Sequence, residues 1–313
     1  MTAYIARRLF ATLPVMAVVA LFVFFLLRLA PGDPAAIIAG DDATTEAIAQ
    51  VRARLGLDRP ILEQFGLYLL HLFQGDMGVS IFSNLPVTRL IAQRLEPTVA
   101  LTLSTLFVAV ALAIPAGVLA AWKAHKLIDR LVMAFAVLGF AVPVFVLAYV
   151  LIYFFAVQLQ MLPVQGYRPI GEGFWPFVES LILPSVALGV TYMALIARIT
   201  RASMLEVLAQ DYIRTANAKG LATDRVLLLH ALKNAAVPIV TVIGIGIALL
   251  ISGVVITETV FNIPGLGRLT VDAVLKRDYP VVQGLILVFA AAKVLVNLII
   301  DISYAFLDPR IRY

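Results

Sequence analysis

Chemistry needs reactive side chains brought together, and this sequence gathers few of them. His71, His125 and His230 are the only histidines, far apart and without ligand spacing, and there is no cysteine. That removes disulfides, Cys-ligated zinc and iron–sulfur clusters, and no metal or other cofactor is expected. Gly75-Asp76-Met77-Gly78-Val79-Ser80 has the glycines of a phosphate turn but lacks the lysine and the following helix. No Gly-x-x-x-x-Gly-Lys segment occurs anywhere, so the chain carries no P-loop for ATP. Nor does a His-Glu-x-x-His motif or a pair of aspartates fall within an apolar segment, which leaves an intramembrane hydrolase without its catalytic groups.

Two polar features remain. The first is Arg198–Pro238, the only long hydrophilic interruption in an apolar second half. Asp211 is placed to cap a helix over Tyr212–Lys219, about two turns long, and Gly220 stands where a glycine would end it. Thr223 or Asp224 can cap a second helix through Val226 and Leu229, and Pro238 suits the first turn of the next apolar segment. Tyr212, Ile213, Ala216 and Leu221 then form an apolar strip on a basic loop. Such a strip fits a lipid surface or a groove on a partner protein, and spacing alone leaves both open. The second feature is Lys293, Asn297 and Asp301, at four-residue steps on the last apolar segment. Charges in lipid are costly, so this stripe either reaches the membrane interface or faces the pore, the bundle interior or a second subunit. An interior-facing stripe with a structural role is expected.

Both features belong to a membrane protein. Hydrophobic residues make up 62% of the 313 and charged residues 14%, with a mean hydropathy of +0.99, far outside the soluble range. The net charge of +5 is scattered among loops rather than patched, so topology explains it better than nucleic acid does, and no nucleic-acid partner is expected.

Leu9–Leu27 follows Arg7 and Arg8 and is long enough to span a bilayer, without the short core and cleavage site of a signal peptide. Pro31, Gly32 and Pro34 end it. Residues up to Pro97 are polar enough to lie outside the bilayer. There Thr44 can cap a helix that Gly56 stops, and Pro60 can open another with Leu62, Phe65, Leu69 and Phe73 on one face, ended by Gly75. Five more spans follow: about Thr98–Ala121, Leu131–Val157 with a kink at Pro143, Val178–Ile199 with Pro184 disturbing its start, Ile239–Glu258, and Val281–Phe306. Thr105, Ala109, Ala113, Gly117 and Ala121 form a ladder of small residues for close helix packing. Gly244, Gly246, Ser252 and Gly253 crowd the fifth span, which marks those glycines as structural or pore-facing candidates. Asn262-Ile263-Pro264-Gly265 is a turn.

Several of these blocks resemble one family. Tyr212–Leu221, His230–Ala235 and Pro238 are similar to the loop of binding-protein-dependent ABC importer permeases that carries the Glu-Ala-Ala motif, in the form found in the dipeptide, oligopeptide and nickel branch. Here Arg214-Thr215-Ala216 replaces Glu-Ala-Ala, as is usual in that branch. Gly75–Ser80, Glu258–Gly267, Arg277–Gly284 and the Asp308-Pro309-Arg310 ending resemble further blocks of the same permeases. The resemblance implies a transmembrane permease subunit in a bacterial inner membrane, forming half of the pathway for peptides or a similar small solute. Glutathione-like peptides and nickel complexes remain alternatives, and the substrate-binding residues are unknown. It also implies a second homologous permease, two ATPase subunits and an extracytoplasmic solute-binding protein as partners, besides membrane lipid. Asp211, Tyr212, Ile213, Arg214, Thr215, Ala216, Asn217, Ala218, Lys219, Gly220 and Leu221 would then couple the ATPase to the membrane helices.

Thirteen Lys and Arg lie in the N-terminus, the 122–130 and 198–237 loops and the tail, against four in the loops at 158–177 and 261–280. The bias sets both termini and the coupling loop in the cytoplasm. The expected fold is therefore an all-α integral membrane protein with six transmembrane helices, an extracytoplasmic helical segment between helices 1 and 2, and a cytoplasmic coupling helix between helices 4 and 5. Residues 1–97 hold the first helix and that segment, and residues 98–313 hold a five-helix permease core with the coupling loop at 198–237. An ion-coupled secondary transporter is the rival, but inverted repeats and acidic groups in mid-membrane are not evident.

Overall fold

The computed structural model describes residues 2–29, 34–39, 43–54 and 56–307. Pro31, Gly32, the Asp308-Pro309-Arg310 ending and the side chain of Ser252 lie outside the described residues. Among the described residues all regular structure is helical, apart from an isolated antiparallel bridge between Val79 and Pro86. α1 (Thr2–Leu29) is followed by the shorter α2 (Pro34–Ala39), α3 (Thr45–Arg54) and α4 (Ile61–Phe73), then by the long α5 (Val87–Trp122). α6 (Leu127–Ala141) and α7 (Val144–Leu151), which runs on as a π-helix over Ile152–Gln158, precede α8 (Phe174–Leu208). The short α9 (Asp211–Ala218) comes next. α10 (Thr223–Arg225) continues as a π-helix over Val226–Leu232, and α11 (Ala236–Val260), α12 (Leu266–Leu275) and α13 (Tyr279–Leu307) complete the chain.

Among the described residues, four stretches are long and apolar enough to cross a membrane: Arg7–Leu26 of α1, α5, α8 and Tyr279–Ser303 of α13. Two bent pairs raise the number to six if each counts as one span. α6 and the α7 segment meet at 103°, and Thr223–Leu232 meets Ala236–Ile247 at 65°. The first bend falls at the kink expected at Pro143 and is sharp enough to divide the segment into two helices. Val142 is extended (φ −80°, ψ 125°) and α7 restarts after Pro143, because a proline pushes the residue before it out of the helical region. Pro184 disturbs no helix start, since α8 begins at Phe174 and carries Pro184 inside.

Contacts divide the chain into two compact units. One comprises Leu95–Arg268 and the residues from Val296 onward. α8 is its centre, with Leu188, Ile196 and Ala197 fully buried. The ladder from Thr105 to Ala121 is buried along α5 and lies against α8. A Cβ on Gly117 would stand 2.6 Å from Thr200 Cβ, and one on Gly189 would stand 3.2 Å from Val108 Cγ1. Small residues let the backbones approach, and in lipid it is this close dispersion contact that holds helices together.

The other unit comprises Thr2–Arg94 and Leu269–Leu295. Thr44 Oγ1 accepts the Ala47 N–H at 3.3 Å at the start of α3, and Pro60 stands at the N-cap of α4. Tyr68, Leu69 and Leu72 of α4 pack on Ala20 and Val23 of α1 and Leu287 of α13, and Phe65 meets Phe24 edge-on at 5.1 Å. The middle of the apolar face of α4 is therefore partly covered. Leu62 and Phe73, expected on that face, are instead 82% and 88% exposed at the two ends of the helix.

Candidate functional site

The loop after α8 is built around α9. Asp211 is its first residue rather than its cap. Gln210 holds the cap position with extended backbone (φ −75°, ψ 149°) and no side-chain capping bond, and the Asp211 carboxylate turns to Arg214 Nη1 at 3.2 Å. At the other end Gly220 has φ +77°. Gly220 N–H donates to Asn217 O at 2.9 Å and Leu221 N–H to Ala216 O at 3.3 Å. These two bonds are those of a left-handed glycine stop, and no atom would crowd a Cβ there. The backbone conformation alone asks for glycine.

The expected apolar strip does not present itself as one surface. Ile213 and Ala216 are buried, 2% and 7% exposed, in a cluster of the chain's own residues with Val118, Met204, Val226 and Ala231, and Leu221 packs against it. The reason is the turn at Gly220, which brings the following π-helix back over α9. Of the four, only Tyr212 stays outward, 44% exposed. Arg214, Thr215, Asn217, Ala218 and Lys219 share the exposed side with it. The second helix is also capped differently: Ala222 holds the cap position, and neither Thr223 nor Asp224 caps through its side chain. The helix does run through Val226 and Leu229, with Val226 buried and Leu229 64% exposed.

Three buried carboxylates were not singled out by sequence reasoning. Asp129, on the first turn of α6, accepts from Arg201 Nε at 2.5 Å, Arg201 Nη2 at 2.7 Å and the His125 N–H at 2.8 Å. It ties the 122–127 turn to α8 ten residues before α9. Its signal was that it is the one acid in a short basic loop. Glu258, fully buried near the end of α11, accepts from the Thr98 hydroxyl at 2.5 Å and from the Arg268 N–H at 2.9 Å. Thr98 Oγ1 in turn accepts the Leu266 N–H at 2.7 Å. The pair thus satisfies amides at the start of α12, which have no partner within the helix. Gly265 and Gly267 make room, since a Cβ on either would press on that carboxylate. In the other unit Asp278 accepts from Ser80 Oγ at 2.5 Å and from the Ile81 N–H at 3.2 Å, so the Gly75–Ser80 and Arg277–Gly284 blocks meet. Gly75–Ser80 serves as a structural turn here: Gly78 N–H donates to Asp76 Oδ1 at 2.8 Å and Val87 N–H to Gly78 O at 3.0 Å.

On the polar stripe of α13, Lys293 and Asn297 are exposed among the described residues and Asp301 is half-buried. The glycines of α11 divide by role. Gly253 lies on α8, where a Cβ would stand 2.7 Å from Leu188 Cδ1, and Gly244 is pressed by Ile300. Gly246 is looser, 3.8 Å from Tyr192 Cδ1.

The sequence matches known proteins along nearly its whole length. Residues 1–102 match the N-terminal part of binding-protein-dependent transport system membrane components, and residues 113–313 match the binding-protein-dependent transport system inner membrane component. The chain belongs to this family. It is a permease of the bacterial inner membrane, crossing it several times. A probable peptide ABC transporter permease protein of Sinorhizobium fredii is 53% identical to it over the full length of both chains. The glutathione transport system permease protein GsiC of Escherichia coli K12 is 43% identical over 99% of each. Among solved structures, an inward-facing form of the MetNI methionine ABC transporter matches the permease with a TM-score of 0.58. That match covers 70% of this chain and 96% of the other at 19% identity, a likeness of fold.

Proposed function

We propose that this permease forms half of the translocation pathway of an ABC importer for peptides, glutathione-like peptides among them. In this reading it has six spans with both termini in the cytoplasm, residues 1–97 add an extracytoplasmic helical segment, and residues 98–313 form the core. A second homologous permease, two ATPase subunits and an extracytoplasmic solute-binding protein complete the complex, and ATP is hydrolysed by the partners alone. Lys293 and Asn297, exposed on a largely apolar helix, face the pore or the second permease, because lipid would leave the Lys293 charge unsolvated.

The observation that carries the reading is the mounting of α9. Its inner face is packed on α5, α8 and the π-helix, and its end is stopped by Gly220. A push on the exposed side is therefore passed to membrane helices rather than absorbed by a loose loop. Residues 211–221 are the coupling element in this account, with Tyr212, Arg214, Thr215, Ala218 and Lys219 toward the ATPase and Ile213 and Ala216 toward the membrane core.

Two measurements test it. The complex in proteoliposomes should take up labelled peptide only with ATP on the ATPase side. Uptake driven by an ion gradient without ATP would replace this reading by the secondary-transporter one. Single cysteines at Ala43 and Glu172 should react with an impermeant thiol reagent from outside intact cells, and ones at Ala124 and Ala222 should not. Outside labelling at Ala222 reverses the orientation.

A further inference from the structure

The faces of α6 and α8 that pack on one another leave an apolar cleft of about 410 Å³, within the size range of small-molecule pockets. Met133, Val137 and Phe140 line it from α6, and Ala194 and Leu195 from α8. Val137 and Phe140 are 66% and 69% exposed, so the cleft is open along its α6 side. Every lining side chain is apolar except one, Arg198.

The two helices run antiparallel. Asp129 meets Arg201 at one end, and Gly139 meets Val190 further along. Arg198 therefore sits near the Asp129 end, one turn before Arg201, and Arg130 lies at the same level on α6. Arg130 is three residues before Met133 and seven before Val137, which puts it on the face that lines the cleft. The two arginines differ from Arg201 in one respect. Arg201 is fully engaged by Asp129, whereas Arg130 and Arg198 are exposed and their side chains have no partner among the described residues. Two unpaired guanidiniums thus stand at one end of an apolar slot in a membrane protein. The Asp129–Arg201 pair fixes the helix spacing at that end.

We propose that this cleft binds an anionic phospholipid, its phosphate between Arg130 and Arg198 and an acyl chain along Met133, Val137 and Phe140. The chemistry selects the occupant. A peptide would bring amides that a wall apolar but for Arg198 leaves largely without hydrogen bonds, while a zwitterionic lipid would bring no net charge for the two guanidiniums. Basic groups at the cytoplasmic end of an apolar cleft between spanning helices suit an anionic headgroup. The inner leaflet follows from the orientation under Proposed function, but the site itself needs only that the protein is in a membrane. An inverted orientation would move the lipid to the other leaflet and leave its binding unchanged.

The test is native mass spectrometry of the intact complex in detergent, titrated with phosphatidylglycerol or with phosphatidylcholine of the same acyl chains. Wild type should retain phosphatidylglycerol in preference. R130Q and R198Q should each weaken that retention about fivefold, which is roughly 1 kcal/mol per surface charge, and R168Q should leave it unchanged. V137W, which fills the cleft and keeps both charges, should also lose the bound lipid. Soluble glycerol phosphate should not displace it. The proposal is overturned by equal retention of the two lipids, by an R130Q/R198Q double variant that binds as wild type, or by displacement with glycerol phosphate. It is overturned as well if a single cysteine at Val137 cross-links efficiently to the second permease, which would make the cleft a subunit interface.

Discussion

Asp129 and Arg201, 72 residues apart in sequence, form a two-pronged pair with Nε–Oδ1 at 2.5 Å and Nη2–Oδ2 at 2.7 Å. Asp129 is 4% exposed, and both its oxygens are used. The fork geometry of a guanidinium matches a carboxylate in a way an ammonium cannot. Removing one partner strands a buried charge, which costs about 3–5 kcal/mol in comparable pairs. Arg201→Ala should therefore lower the thermal midpoint of the purified permease, followed by tryptophan fluorescence. Arg201→Lys should fall between it and wild type. A midpoint unchanged in Arg201→Ala would show that the pair contributes nothing to holding α6 on α8.

The Glu258 network should respond to smaller changes. Its carboxylate receives the Thr98 hydroxyl and the Arg268 N–H, and an amide at the same place turns N–H groups toward at least one donor. Glu258→Gln is expected to cost about 1–3 kcal/mol, the penalty of an unsatisfied buried group. Gly265→Ala should be at least as damaging, since its Cβ would press on that carboxylate. The same thermal assay decides. If Gly265→Ala is silent, the glycine is not needed as room for Glu258.

The difference between what the sequence made legible and what it did not follows interaction range. Helix ends written in a few neighbouring residues were readable: the stops at Gly56, Gly75 and Gly220, all with positive φ, and the small-residue ladder on α5, whose period of four needs no partner to be seen. Caps were less readable, because Gln210 and Ala222 hold theirs through backbone shape alone. The direction of the α9 strip was not legible either. An amphipathic helix announces that one face will be covered, but not by which molecule, and here the π-helix from the same chain covers it. The pairs Asp129–Arg201 and Thr98–Glu258 were invisible for a related reason: nothing local reports on a partner 72 or 160 residues away.

Gly220 offers a clean backbone test. Its φ of +77° is disfavoured for residues with a Cβ, most of all β-branched ones, while nothing lies within 4 Å of the place a Cβ would occupy. Any effect of substitution is then conformational. Gly220→Val should cost about 1–3 kcal/mol of local strain, leaving the permease inserted but reducing peptide transport. Gly220→Asn, which tolerates the left-handed region, should retain most of it. Equal transport in both variants would show that the stop at Gly220 has no part in coupling.

The two faces of α9 separate folding from coupling. Ala216 is 7% exposed within the cluster of Val118, Met204 and Val226, so Ala216→Asp places a carboxylate with no partner among apolar side chains. That is costly for the permease itself, and its yield and thermal midpoint should fall whether or not the ATPase is present. Tyr212 points outward from the same helix, 44% exposed. A large exposed aromatic beside the basic Arg214 and Lys219 has the character of an interface anchor. Tyr212→Ala should leave yield and midpoint at wild-type values, while it reduces co-purification of the ATPase and ATP-dependent peptide uptake, about tenfold or more for a hot-spot residue. The comparison is between the variants in one preparation series. Normal ATPase retention and transport in Tyr212→Ala would return α9 to the status of a surface helix. Unchanged stability in Ala216→Asp would mean that its inner face is not packed on the membrane core.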